Sequence, residues 1–243
     1  MSDQKFNDLF LHEEVMLIAL KDQEGTIHSK ASSFRYALAG AILAELAIEG
    51  KVLVSEDRRE PLRILDTKPV GDPAIDAALA KMAKSKHTYV AENWVGMIAS
   101  IANLKEQTAL SLCRRGILKE EEKKILFIFT SKTYPEVDHD PEDLLLARLE
   151  DAIFNTRSMV DARTAMLISI LTAASMLSIP FDAKRMKAKT IKKRIEKISE
   201  GSMLGGAAIA DSTGRAIQAA IQQAIMISVT SAVTAATMTV ITS

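Results

Sequence analysis

One cysteine, one tryptophan, six prolines and no surplus of either charge are the scarcities that first constrain this 243-residue chain. A lone thiol, Cys113, excludes an internal disulfide and a cysteine metal cluster, and it suits a reducing compartment. Thirty-one Lys and Arg balance 31 Asp and Glu. Any attraction to nucleic acid or anionic lipid must therefore come from local clusters of charge. Catalytic signatures are missing as well: there is no GxxxxGKS/T or GxGxxG phosphate loop, no GxSxG, no HExxH and no paired CxxC. The histidines, at 12, 28, 87 and 139, are scattered. His12 stands beside Glu13 and Glu14, but adjacent helix positions diverge, so a capping or solvated role is expected rather than a metal pair. No catalysis, cofactor or metal is expected.

Residues 1–10 carry Asp3, Lys5 and Asp8 and show no basic stretch followed by an apolar one, so no secretory signal is read there. Residues 1–8 are expected to be disordered and residues 9–243 to form one domain in the cytoplasm. At the other end no charged residue occurs from Ala216 to Ser243. That length suffices to span a bilayer. Three glutamines and eight Ser or Thr side chains make it a poor lipid-facing segment, however, and Ile217, Ile221, Ile225, Val229 and Val233 recur at helical spacing. A buried central helix is expected.

What is present in quantity is helix-forming sequence with 48% hydrophobic side chains. Leu11, Val15 and Ile18, with Leu17 and Leu20, give the first segment an apolar side. Glu13 and Glu14 fall in the first turn, where the helix dipole favours acids. Gly25 ends the solvated turn KDQEG, and TIHS continues as a short extended piece. A second helix spans Phe34 to Glu49, stops at Gly50 and leads into a hairpin with arms Val52 to Val54 and Leu62 to Leu65. Asp72 and Pro73 cap an alanine-rich helix, and Asp140 with Pro141 caps another. Long helices are expected over Asp161 to Leu177 and Ala183 to Ser199. The fold class is mainly α: one helical domain around an apolar central bundle, with two small β-hairpins.

The order helix, Gly, hairpin occurs twice, the second time around Gly116 and a β-favouring run at 125–129. A winged helix has that order, but the helix RYALAGAILAELAIE has almost nothing to offer base edges, so no nucleic acid is expected as partner.

LFLHEEVMLIALKDQEG, followed by ALAGAILAELAIEGKV and later by ALSLCRRGIL and DARTAMLISIL, resembles the Golgi phosphoprotein 3 family from about residue 9 to the end. The resemblance implies a helical domain with a protruding hairpin and, as in eukaryotic members, a peripheral membrane protein that binds phosphatidylinositol 4-phosphate and helps retain glycosyltransferases. Its head-group residues are a Trp, an Arg and an Arg-x-x-Arg pair. They fall here on Lys30, Ala39, Ala102 and Lys105, so only Lys105 keeps the charge of its counterpart. Lys30, Arg35 and Lys105 are the cations expected to converge on a head group, forming a weaker and less stereospecific site.

The projecting hairpin of the family corresponds to about 126–139. Phe127, Phe129 and Tyr134 are its candidate contacts with an oligomer partner or a membrane, and the unbroken run from Leu126 to Phe129 is read as a strand buried on both faces. Eight Lys or Arg lie between 184 and 197. Arg185, Lys189, Lys192 and Lys193 are the candidate membrane-surface contacts on that basic amphipathic helix. The expected function is a peripheral membrane protein binding anionic phospholipid or a phosphoinositide, with a trafficking or envelope-associated role on the cytosolic face of the Golgi in a eukaryote. The alternative is a protein-binding or homo-oligomeric scaffold with a protein client and no lipid affinity.

Overall fold

The computed structural model describes residues 9–200 and Met203, apart from Glu56, Arg58, 126–128 and 156–158. The expected helix at 216–243 lies outside the described residues. Among those described, nine helices and two antiparallel hairpins form one helical domain.

Helix α1 (Leu11–Ala19) is the most enclosed, with all nine residues buried. Phe10 precedes it in extended conformation, and the Glu13 carboxylate accepts from the Phe10 amide at 3.0 Å. The helix stops where Leu20 turns extended and bridges to Ile27. Between them KDQEG folds back, with Gly25 at φ +62°. A Cβ at Gly25 would lie 2.2 Å from the backbone nitrogen of Pro135, so only glycine permits this approach.

Helix α2 (Phe34–Ile48) packs beside α1 and is buried over twelve of its fifteen residues. Gly50 ends that turn, and β1 (Val52–Leu53) pairs with β2 (Arg63–Ile64), a shorter ribbon than its sequence suggests. Helix α3 (Pro73–Ala83) is capped as expected: Asp72 accepts from the amides of Ala74 and Ile75 at 2.9 and 3.0 Å. Helices α4 (Ala91–Ala99) and α5 (Leu104–Arg114) follow and pack against α2 and α1.

The second hairpin differs from its reading. Strand β3 is Glu121–Ile125 and β4 is Phe129–Thr133, with Glu121 opposite Thr133 and Ile125 opposite Phe129. The charged run EEKK therefore forms a strand, and of the apolar run from Leu126 to Phe129 only Phe129, which opens β4, lies among the described residues. A two-stranded ribbon whose faces both carry polar side chains needs no apolar alternation.

Helix α6 (Asp140–Phe154) begins one residue earlier than expected, with His139 at the cap position and Asp140 in the first turn. Helix α7 (Ala162–Ala173) is capped by Asp161 and ends before Ser175, which takes φ +58°. The long helix expected at 183–199 is two helices, α8 (Ala183–Lys187) and α9 (Lys189–Ser199), broken at Ala188 with ψ 131°. The apolar positions explain the break. Met186 and Ile191 are five residues apart, which at roughly 100° per residue puts them on different sides of a continuous helix. Breaking at Ala188 lets both pack against the core. No described helix is long and apolar enough to cross a membrane.

Candidate functional site

Arg35, in the first turn of α2, and Lys105, in the first turn of α5, line one cleft of about 440 Å³. Phe34, Leu38, Ile101 and Leu104 supply its apolar floor. Asn103, at φ +59°, turns the chain into α5 without capping it through its side chain, so amides of the first turn of α5 lack a side-chain acceptor. Arg35, an exposed residue, donates from Nη2 to the carbonyl of Ala99 at 2.7 Å, which engages one of its five N–H donors. Lys105 Nζ is 4.0 Å from Glu106, a loose contact. Two cations and a helix N-terminus thus face one concavity, an arrangement suited to an anion. Ala102 lines the same cleft, whereas Ala39 is fully buried.

Lys30 is placed elsewhere. Its Nζ donates to the carbonyl of Ser178 at 3.2 Å, in the connection after α7. Ser178 also borders a groove of about 760 Å³ between α7 and α9, lined by Leu177, Met186, Lys192 and Ile195 among others. The structure therefore joins Arg35 to Lys105 and sends Lys30 towards the basic helix.

Arg185 on α8 and Lys189, Lys192 and Lys193 on α9 are exposed. Arg185 is partly engaged: it pairs with Glu150 at 3.0 Å and lies over the Phe154 ring, 4.0 Å from its centroid. Of the eight cations, Arg194 is buried and donates to the carbonyl of Ala152 at 2.7 Å. Seven remain for the surface.

In the hairpin, Phe127 lies outside the described residues and Phe129 opens β4. Tyr134 is 1% exposed, in the core below the hairpin. It is no contact for a membrane or a partner subunit, because the close packing of Gly25 on the Tyr134 and Pro135 backbone draws this end of β4 inward.

The acids of α1 are the feature that sequence reasoning missed. Glu13 is fully buried and meets Arg115 Nε at 3.1 Å. Glu14 meets Arg148 at 2.6 Å and Arg163 at 3.9 Å. Arg163 also forks onto Glu45, at 3.0 and 3.2 Å, while Glu45 accepts from the Leu11 amide at 2.7 Å. Burial pushes the Glu14 carboxyl up, against the pull of Arg148 and Arg163. His12, expected to cap or be solvated, is instead fully buried with Nε2 3.2 Å from Asp72. Burial acts to raise Asp72, but His12 and the amides of Ile75 and Ala74 outweigh it and hold the carboxyl below its usual value. The network ties α1 to α2, α5, α6 and α7. Its signal in the sequence is two adjacent acids in an apolar helix, with isolated arginines in LLLARLE and DARTAM.

A second acidic group stands at the base of the hairpin. One carboxylate oxygen each from Asp22, Glu136 and Glu142 lie within 4.8 Å of one another. Burial, then the charges of Glu136 and Asp22, push Glu142 up to about 8. His139 sits 2.6 Å from Glu136, whose carboxylate draws the imidazole above its ordinary value.

Helix α2 is enclosed by its neighbours and cannot present a recognition face to a groove of nucleic acid. The described residues therefore define a helical domain pinned by buried ion pairs, with Arg35 and Lys105 lining one surface cleft. The model of the Golgi phosphoprotein 3 family matches residues 11–226, and the chain belongs to that family. Among curated relatives, vacuolar protein sorting-associated protein 74 of Eremothecium gossypii is 29% identical over 160 residues, covering 58% of this chain and 48% of the relative. The protein of the same name from Schizosaccharomyces pombe is 30% identical over 160 residues, covering 58% and 47%. The chain thus spans about half the length of these relatives.

Proposed function

We propose that this protein is a peripheral membrane adaptor of a trafficking process, acting by binding rather than by catalysis, and that it recognises the phosphate of an anionic phospholipid head group. The observation that carries the reading is the shared cleft of Arg35 and Lys105 at the N-terminus of α5. Positive side chains at a helix N-terminus suit phosphate, and here they share the cleft with one acid, Glu106. Family membership and the names of the relatives support the trafficking part. The exposed cations of α8 and α9 would add a non-stereospecific attraction to an anionic surface, on the cytosolic face of the Golgi if the cell is eukaryotic.

Calorimetric titration with a water-soluble short-chain phosphatidylinositol 4-phosphate tests the cleft. Arg35→Ala together with Lys105→Ala should weaken binding by at least about tenfold, the loss of one to two charge-assisted hydrogen bonds. Unchanged affinity would remove the cleft from the account. The alternative, a protein-binding scaffold, is favoured by one observation, the apolar groove between α7 and α9. A client bound there would be lost on Ile195→Asp and retained in the cleft variant.

A further inference from the structure

We propose that the groove between α7 and α9 is the seat of the chain's own uncharged segment at 216–233. The groove has a volume of about 760 Å³, with Leu177, Met186 and Ile195 as its apolar floor and hydroxyls of Thr172, Ser175 and Ser199 along it. A cavity of this size suits a small ligand as well. What selects the segment is where the described chain leads and which residues follow.

Ser199, which ends α9, and Glu200, its cap, line the groove. Three residues on, the carbonyl of Met203 accepts from the Val160 amide at 3.0 Å, just before α7. The chain therefore leaves the described residues beside the two helices that form the groove. Residues 204–215 reach as far as about 40 Å when extended, whereas the 11 residues of α9 rise about 16 Å. The segment that begins at Ala216 is within reach of the whole groove.

Its chemistry matches what the groove lacks. No charged residue occurs from Ala216 onward, and Ile217, Ile221, Ile225, Val229 and Val233 recur at helical spacing, a stripe that has to leave water. Gln218 and Gln222 stand three residues before Ile221 and Ile225, on the border of that stripe. Ser199 is 7% exposed, and its hydroxyl has no hydrogen-bond partner among the described residues. A buried hydroxyl is costly unless paired, and a glutamine amide both donates and accepts. Lys192, Glu196 and Glu200 are exposed and form the rim, where two acids beside one lysine disfavour an anionic lipid. Seating the segment leaves no room there for a client. The inference goes beyond the lipid reading and rests on no part of it.

Hydrogen exchange of the full chain, read by mass spectrometry over 216–233, tests the seat. Those residues should exchange at least about tenfold more slowly than an unstructured chain, at every protein concentration. Met186→Asp, at a half-buried position of the floor, should remove that protection while α1 and α2 stay protected. Free-chain exchange over 216–233 in the wild type overturns the proposal, as does protection that Met186→Asp leaves intact. Protection lost on dilution would give the groove to a second copy, and a native mass spectrum with bound lipid that Met186→Asp removes would give it to a lipid; either overturns the proposal. If Met186→Asp unfolds the domain, a disulfide decides. In a Cys113→Ser background, Ser199→Cys with Gln222→Cys should close within the monomer on mild oxidation, and Ser199→Cys with Thr242→Cys should not. Equal closure of the two pairs, or closure of neither, overturns it.

Discussion

Arg163 shows how one side chain carries several contacts. It bridges Glu45 and Glu14 and also donates to the carbonyl of Leu9, so it holds the acids of two core helices and the chain entering α1. Removing one partner of a buried ion pair leaves the other charge uncompensated, which costs far more than the pair itself contributes. Arg163→Ala should therefore destabilise the fold by about 3–5 kcal/mol in urea unfolding. A loss below about 1 kcal/mol would mean that the network is solvated and only locally relevant. The acids at 13 and 14 were legible as residues of a helix start, since dipole and capping arguments need only neighbours in sequence. Their true partners are 102 or more residues away, and no local pattern reveals a pairing at that separation. The same reason separates Lys30 from its expected partners: its contact, Ser178, is 148 residues distant. Arg35 and Lys105 were read together through the family resemblance rather than through a local pattern, and they line one cleft.

Helix boundaries were most readable where a single residue sets them. Asp72 with Pro73, Asp161, Gly50 and Gly116 all act as their chemistry dictates, because caps and left-handed turns are local. The second hairpin was less so, since apolar, β-branched residues drew the strand reading to 125–129 while the ribbon chose the charged run beside it. The split at Ala188 needed knowledge of which face packs. Asp72 also makes a helix start pH-sensitive. Its folded value lies below the ordinary 3.8, so it contributes stability that is present above that value and lost as the pH falls through the lower folded one. Asp72→Ala should cost about 1–2 kcal/mol at pH 7 for the lost cap. That difference from the wild type should narrow below pH 3.8, measured by denaturant unfolding across the acid range. A difference independent of pH would deny the carboxylate its role.

Across the whole molecule, neutrality and local charge are reconciled by position. Thirty-one acids cancel 31 bases, yet several acids are spent inside, on Arg115, Arg148 and Arg163, or crowded at the hairpin base. The lysines of α8 and α9 stay outside. Composition could show the balance but not this sorting, which requires the fold. The central claim is that the Arg35 and Lys105 cleft recognises a lipid phosphate, with the basic helix supplying general attraction.

Co-sedimentation with liposomes that are neutral, anionic or doped with phosphatidylinositol 4-phosphate, at low and physiological salt, tests it most directly. The account predicts binding to the doped vesicles that survives at physiological salt and is lost in the Arg35→Ala, Lys105→Ala variant. It also predicts binding to plain anionic vesicles that disappears as salt screens the helix and falls with Lys192→Glu, Lys193→Glu. Equal sedimentation of wild type and cleft variant with doped vesicles, or no sedimentation with any of them, would contradict it.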